Sequence, residues 1–203
     1  ILFDTERKVF RLDAGSSSYA FCVGPWGQLL HLYYGARISD TDLGYLQSAL
    51  NTGSFSPNPP EGDDSAFSLD TAFQEYPVNG TGDYRVAALA IRGENGSSAT
   101  SLRYRSHTIR RGKYALDGLP AVYAAEDEAE TLDVLMEDPL TGAEVHLLYG
   151  VLDRYSAITR AAVIRSSGQS PFVIEKAASA AVDFPTMDFD LVHLYGQWAG
   201  ERQ

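Results

Sequence analysis

Hydrophobic and polar residues alternate along most of the chain with the two-residue period of half-buried β-strands. In residues 101–109, for example, Leu102 and Tyr104 share one face of an extended strand, while Arg103 and Arg105 share the other. Applied to the whole sequence, the pattern predicts strands at residues 9–12, 18–23, 28–34, 86–92, 101–109, 131–137, 144–152, 157–165, 171–182 and 191–195. The chain is therefore predicted to consist almost entirely of β-strands.

Runs of glycine, proline and small polar residues separate several of these strands, as the turns of β-hairpins do. We predict hairpin turns at residues 24–27, 95–96, 138–143 and 166–170. A single helix is predicted at residues 39–50, because Ser39 and Asp42 resemble a loose capping box and leucines recur behind them at helical spacing. With no repeat or low-complexity tract, residues 1–203 are predicted to form one all-β domain, an antiparallel β-sandwich with one short helix.

Residues 55–85 break this pattern. The segment is rich in proline, glycine and acidic residues, yet it carries the large apolar side chains of Phe67, Leu69, Phe73 and Tyr76. A flexible linker would not contain so many of them, and a structureless loop of this length is uncommon in a compact domain unless it docks or functions. We therefore expect the segment to pack against another surface of the protein.

The net charge of −11 argues against a nucleic-acid partner, which would require clustered Lys and Arg side chains. No apolar run approaches the roughly 20 residues of a membrane span, and no signal-peptide pattern opens the chain. We therefore predict neither a nucleic-acid nor a membrane partner. An acidic surface remains compatible with a neutral partner such as a sugar.

Cys22 is the only cysteine, so no disulfide can form within the chain. It lies in an apolar, strand-like run, where a buried and unreactive thiol is expected. The Asn-Gly pairs at residues 79–80 and 95–96 are interpreted as tight turns rather than glycosylation sites. These features predict a reducing compartment, the cytoplasm.

The chain contains few candidates for catalytic chemistry. The four histidines, His31, His107, His146 and His193, lack metal-ligand spacing, and no nucleotide-binding or nucleophile motif occurs, so we predict no cofactor and no metal. Glu75 and Asp83 are the strongest candidates for a glycosidase pair of carboxylates. The same two residues suit buried ion pairs that fix a loop, and we favour that interpretation.

Four aromatic residues, Trp26, Tyr33, Tyr34 and Trp198, have side chains that can stack on a sugar ring. Aromatic residues in strands more often belong to the hydrophobic core, and we favour the core interpretation here as well. Residues and spacing alone thus predict a β-sandwich without an evident catalytic centre.

An ordered series of short motifs adds a resemblance. The motifs are HLYYG at residues 31–35, FSPNP at 55–59, FSLD at 67–70, QEYP at 74–77, GDYR at 82–85, LDGLPA at 116–121, ITR at 158–160 and HLYGQW at 193–198. Each motif is weak alone, but in this order they resemble the N-terminal domain of glycoside hydrolase family 36 α-galactosidases (melibiases). The likeness covers essentially the whole chain.

The resemblance implies an antiparallel β-supersandwich that belongs to a longer enzyme hydrolysing terminal α-galactosides. In that family the domain is followed by a (β/α)₈ barrel, which carries an aspartate nucleophile and an aspartate acid/base, and by a C-terminal β-domain. The nucleophile motif, of the K-W-D-x-N type, does not occur in this sequence. The resemblance therefore implies that this chain is non-catalytic and that its own barrel is one of its partners.

The resemblance also implies a role for the loop that precedes the FSPNP motif. In tetrameric family members this loop reaches the active-site mouth of a neighbouring subunit. Here it presents Asn51 and Thr52 where related sequences can place an aspartate, and Phe55 opens the motif behind it. Asn51, Thr52 and Phe55 are thus the predicted substrate-binding residues, an α-galactoside is the predicted ligand, and a homo-tetramer is the predicted assembly.

Two other interpretations remain open at this point. The chain could be a stand-alone carbohydrate-binding module that uses surface aromatic residues, or a sandwich that serves only in assembly. An exposed row of aromatic side chains on one sheet would favour the binding module. Burial of Trp26, Tyr33 and Tyr34 would favour one of the other two interpretations.

Overall fold

The computed structural model describes residues 1–47, 67–81, 83–118, 121–168, 170–184, 186–188, 190, 192, 196 and 198–200. The strands in this part of the chain are β1 (Leu2–Asp4), β2 (Val9–Ala14), β3 (Ser17–Val23), β4 (Leu29–Ala36), β5 (Leu89–Gly93), β6 (Arg103–Arg111), β7 (Glu130–Asp138), β8 (Ala143–Leu152), β9 (Ala157–Ser166) and β10 (Phe172–Ala177). The predicted strands before residue 182 are confirmed with shifted ends, and β1 is an addition to them. The predicted strand at 191–195 lies outside the described residues except for Val192.

These strands form three antiparallel sheets. The first sheet has the order β1-β2-β3-β4, the second has the order β6-β7-β8-β9, and β5 pairs with β10 in a two-stranded third sheet. Adjacent strands within each four-stranded sheet follow one another in sequence, so each is an antiparallel meander. The all-β, antiparallel fold predicted from the alternation is confirmed.

The main core lies between the inner faces of these sheets. Phe10 of β2, Phe21 of β3, Ile91 of β5 and Tyr149 of β8 are at most 1% exposed. The ring of Phe21 stacks on Phe10 at 4.8 Å and on Tyr149 at 5.1 Å, so a continuous aromatic stack joins the two four-stranded sheets. Offset aromatic pairs of this kind add about 0.5–1.5 kcal/mol to the free energy of area burial.

The first sheet is buried on its outer face as well, by what we call the outer cluster. The cluster comprises Val9, Ala20, Cys22, Leu30, Leu32, Leu43, Phe67, Leu69 and Ala72. Burial on both faces explains why β3 is buried along almost its whole length rather than at alternate positions.

Two of the four predicted hairpins are wrong. The turns at 24–27 and 138–143 do connect paired strands, β3 with β4 and β7 with β8. By contrast, β5 pairs with β10 instead of β6, and β9 pairs with β8 instead of β10. The turn at residues 93–97 does form. After it, the backbone N–H of Thr100 donates to the carbonyl of Asn79, and the N–H of Ser101 donates to the Asp138 carboxylate, so the chain crosses to the sheet that contains β7.

The predicted helix at 39–50 is also wrong over its described part. Only Gly44–Leu46 is helical, as a single 3₁₀ turn, and residues 48–50 lie outside the described residues. The Asp40 carboxylate accepts hydrogen bonds from the backbone N–H groups of Thr41 and Asp42. This local bonding competes with helix formation, which explains the failure of the predicted capping box.

Candidate functional site

The described part of the 55–85 segment packs against the domain itself. Phe67, Leu69 and Ala72 join the outer cluster on the first sheet, whereas Tyr76 and Val78 enter the main core. The segment thus passes from one face of the first sheet to the other. Phe67, Leu69 and Tyr76 therefore attach the segment to the domain, whereas the Phe73 side chain is 39% exposed.

Backbone hydrogen bonds fix the same segment along β4. The N–H of His31 donates to the carbonyl of Phe73 at 2.7 Å, and the N–H of Glu75 donates to the carbonyl of Leu29 at 2.9 Å. Residues 73–75 therefore cover the edge of β4 that β3 leaves unpaired. This pairing directs the Glu75 side chain into the interior.

Glu75 is fully buried at the centre of a polar cluster within the main core. Its carboxylate accepts hydrogen bonds from the hydroxyl of Tyr19, at 2.8 and 2.7 Å, and from the hydroxyl of Tyr149, at 2.7 Å. Arg160 Nη1 lies 2.9 Å from Glu75 Oε1, and His31 Nδ1 lies 3.6 Å from Oε2. The last distance is too long for a hydrogen bond, and His31 Nδ1 is buried without a hydrogen-bond partner among the described residues.

The surroundings of Glu75 set its protonation state. Burial alone would raise the pKa of Glu75, but the positive charge of Arg160, together with His31 and the Tyr19 hydroxyl, holds this pKa below its ordinary value. Burial, reinforced by the charge of Glu75, raises the pKa of Tyr19 far above its ordinary value. The cluster therefore contains a carboxylate that stays ionised and tyrosines that stay neutral donors.

Arg160 binds this cluster with only part of its guanidinium group. Nη1 forms the ion pair with Glu75 and donates a hydrogen bond to the Tyr19 hydroxyl. Nε and Nη2 are buried and have no hydrogen-bond partner among the described residues. The guanidinium carbon lies 4.3 Å from the centroid of the Tyr149 ring, and this cation–π contact offsets part of the lost hydration. The arrangement restrains the carboxylate and leaves it inaccessible to a substrate.

Asp83, the second candidate carboxylate, forms a separate ionic contact. Its Oδ2 accepts from Gln74 Nε2 at 2.6 Å and lies 2.7 Å from Arg85 Nε. Arg85 also donates to Asp183 at 3.0 Å, so one guanidinium joins the segment to the chain after β10. Both carboxylates take part in the buried ion pairs favoured by the sequence, and that interpretation is confirmed.

The predicted substrate-binding residues, Asn51, Thr52 and Phe55, lie outside the described residues. The chain on either side of them is described. Gln47 donates through Nε2 to the Cys22 sulfur at 3.3 Å, and the Phe67 ring lies 4.8 Å from the Trp26 ring. Both flanking residues, Gln47 and Phe67, thus attach to the outer cluster.

The remaining candidate residues are either packed in the outer cluster or exposed to solvent. Trp26 and Tyr33 pack against the outer cluster, while Tyr34 and Trp198 are 54% and 95% exposed. Burial raises the pKa of the Cys22 thiol to about 12, which leaves it unreactive. Within the described ranges there is no group of three or more His, Cys, Asp or Glu side chains arranged to hold a metal ion.

Sequence reasoning missed Arg160 and Tyr149 as the partners of Glu75. Arg160 lies directly opposite Tyr149 in the β8–β9 pairing, on the same strand face as Ile158 and Ala162. An arginine on an otherwise apolar strand face is rare unless it is paired, and this was the available signal. It points to a buried acid, although it does not identify Glu75.

Comparisons with known proteins agree with this architecture. The family model described as the glycosyl hydrolase family 36 N-terminal domain matches residues 27–203. The bifunctional alpha-galactosidase/sucrose kinase AgaSK of Mediterraneibacter gnavus is 44% identical over the full chain, and alpha-galactosidase AgaA of Geobacillus stearothermophilus is 41% identical. The chain spans only 22% and 28% of the lengths of these two relatives.

Solved structures give the same result. A variant of Geobacillus stearothermophilus AgaA in complex with raffinose aligns with a TM-score of 0.88 and 42% identity, over 96% of this chain and 27% of that one. The alpha-galactosidase from Lactobacillus brevis aligns with a TM-score of 0.91 and 29% identity, over 100% of this chain and 27% of that one.

Fold and sequence together define a β-sandwich domain of the type found in glycosyl hydrolase family 36 relatives. The chain belongs to the glycosyl hydrolase family 36 N-terminal domain family. In the part of the chain that the structure describes, no helix is long and apolar enough to cross a membrane.

Proposed function

We propose that the chain is the non-catalytic N-terminal domain of a retaining α-galactosidase that hydrolyses terminal α-galactosides. The observation that carries this proposal is full-length coverage of the chain by relatives named alpha-galactosidases, in which it corresponds to about a quarter of the length. The catalytic aspartates would lie on a barrel in the remainder of such an enzyme. The domain would be a single unit over residues 1–203, packed against that barrel.

The geometry of the candidate carboxylates supports a non-catalytic role. A retaining glycosidase requires two accessible carboxyl groups about 5–5.5 Å apart, one on each side of the scissile bond. Glu75 is fully buried and Asp83 is 9% exposed, and each is engaged by an arginine of this domain. Neither carboxylate is available to a sugar.

We further propose that Asn51, Thr52 and Phe55 contribute to the rim of a neighbouring subunit's active site in a homo-oligomer, a tetramer. The support is that the described residues on either side of them, Gln47 and Phe67, are both attached to the outer cluster. A segment attached at both ends can present side chains to a partner at lower entropic cost than a free tail. Asn51 and Thr52 would hydrogen-bond galactoside hydroxyls.

The test is steady-state kinetics of the full-length enzyme that contains this chain. Replacing both Asn51 and Thr52 by alanine should raise the Michaelis constant for raffinose or lower turnover by about two- to tenfold, the effect of one lost hydrogen bond. Glu94→Ala, at an exposed turn position, is the control and should leave the kinetics unchanged. Unchanged kinetics of the loop variant in an enzyme shown by light scattering to be tetrameric would remove this loop from the active site.

The competing function is a stand-alone carbohydrate-binding module. The half-exposed ring of Tyr34 favours it, whereas Trp26 and Tyr33 pack on the outer cluster and count against an aromatic platform. Loss of sugar binding by the isolated chain on Tyr34→Ala substitution would support this alternative.

A further inference from the structure

A cavity of about 300 Å³ lies beside Gln74, which pairs with the edge of β4, and Gln47 is not among the residues that line it. Its wall includes Gln28, Leu29, Tyr76, Thr81 and Leu102. One water molecule occupies about 30 Å³ of liquid, so the cavity is much larger than a site for a single structural water. Its volume matches the lower end of small-molecule sites, about 300 Å³.

Two residues that line this cavity each carry one side-chain oxygen that is buried and has no hydrogen-bond partner among the described residues. The two oxygens are Gln28 Oε1 and Thr81 Oγ1, and the Gln28 residue as a whole is only 7% exposed. Other polar groups nearby are engaged, since Gln74 donates to Asp83 and to the carbonyl of Leu69. A buried polar group without a partner is unfavourable, so a bound molecule that supplied hydrogen bonds to these two residues would stabilise both of them.

The identities of these atoms define the chemistry of such a molecule. Gln28 Oε1 only accepts hydrogen bonds, so the ligand must donate one, whereas the Thr81 hydroxyl can donate or accept. Among the described residues that line the cavity, only Arg103 is charged, and it donates to the carbonyl of Trp26 and the hydroxyl of Ser101. The wall also presents apolar surface from Leu29, Leu102 and Met136. The complement is a neutral molecule with several hydroxyl groups and one apolar face.

We propose that this cavity is a second sugar-binding site, which takes a neutral pyranose such as the galactose unit of a galactoside. The ring hydroxyls donate to Gln28 Oε1 and bond with Thr81, and the C–H face of the ring packs against the apolar part of the wall. The site goes beyond the rim role proposed for Asn51 and Thr52, because none of its residues belongs to their loop.

The test is a titration of the isotope-labelled 203-residue chain with methyl α-D-galactopyranoside, followed by NMR. We expect a dissociation constant on the order of 1 mM, as is usual for a ligand of this size with few polar contacts. Thr81, Thr100 and Leu102, which line the cavity, should show the largest shifts. Gln28→Met and Thr81→Val, which preserve side-chain volume, should each weaken binding about two- to tenfold without lowering the melting temperature.

The loop variant with alanine at Asn51 and Thr52 serves as the matched control and should bind the galactoside normally. It also separates the two proposals, since the rim role is tested by enzyme kinetics and this site by binding to the chain alone. The absence of shifts at about 50 mM galactoside, well above the expected constant, would overturn the proposal. Shifts centred on another surface, or binding unaffected by both cavity substitutions, would overturn it equally.

Discussion

At the scale of single residues, Glu75 combines an ionised carboxylate with complete burial. Removing such a charge from water is costly unless other groups compensate it. Here Arg160 supplies the counter-charge, and Tyr19 and Tyr149 supply hydroxyl donors. Because Tyr149 belongs to the second sheet and Tyr19 to the first, the carboxylate joins the two sheets across the core.

Replacing Glu75 by glutamine should therefore lower the free energy of unfolding by about 3–5 kcal/mol, because it leaves the buried Arg160 charge uncompensated. Urea denaturation near neutral pH measures the change. The matched control is Glu175→Gln, which breaks the exposed Arg92–Glu175 pair and should cost about 0–1 kcal/mol. Equal effects of the two substitutions would contradict a central role for the buried pair.

The pH dependence of the stability difference between the wild-type chain and the Glu75→Gln variant is a second test of the role of Glu75. Its folded-state pKa is lowered, so its contribution to stability is fully present above the unfolded-state pKa of about 4.3. The contribution is lost as the pH falls through the lower folded-state value. The stability gap between the wild-type chain and the Glu75→Gln variant should therefore narrow in acid and stay constant toward neutral pH.

At the scale of elements, strand positions could be predicted from the sequence but their partners could not. Alternation located β7 and the first half of β8, where buried and partly buried positions alternate. It could not show that β5 pairs with β10, since alternation contains no information about which strand lies alongside another. The helix prediction at 39–50 failed for a local reason, because the Asp40 side chain bonds the backbone N–H groups beside it.

The attachment of the segment after residue 66 to the first sheet can be tested in the same way. Phe67 is 9% exposed within the outer cluster, so Phe67→Ala should lower the free energy of unfolding by about 3 kcal/mol. Tyr45, which is 80% exposed, is the control, and Tyr45→Ala should change stability by less than about 0.5 kcal/mol. A negligible effect at Phe67 would mean that this anchor is not formed in solution.

At the scale of the whole molecule, the family resemblance and the chemistry of individual residues predicted different features of the protein. The motif order indicated the family, which the match over residues 27–203 bears out. The structural interpretation of Glu75 and Asp83 followed from their suitability for buried ion pairs that fix a loop, which the structure shows. The 300 Å³ cavity could not be predicted, because its wall combines Gln28, Thr81 and Met136, which only the folded chain brings together.

The most direct test of the central claim is an assay of the purified 203-residue chain with an aryl α-galactoside. We predict no turnover above the uncatalysed rate, because Glu75 and Asp83 are engaged in buried ion pairs and the catalytic aspartates would belong to the barrel. The full-length enzyme that contains this chain, assayed in parallel, should be active. Turnover by the isolated chain that is abolished by Glu75→Gln or Asp83→Asn would contradict the account and make this domain a catalyst in its own right.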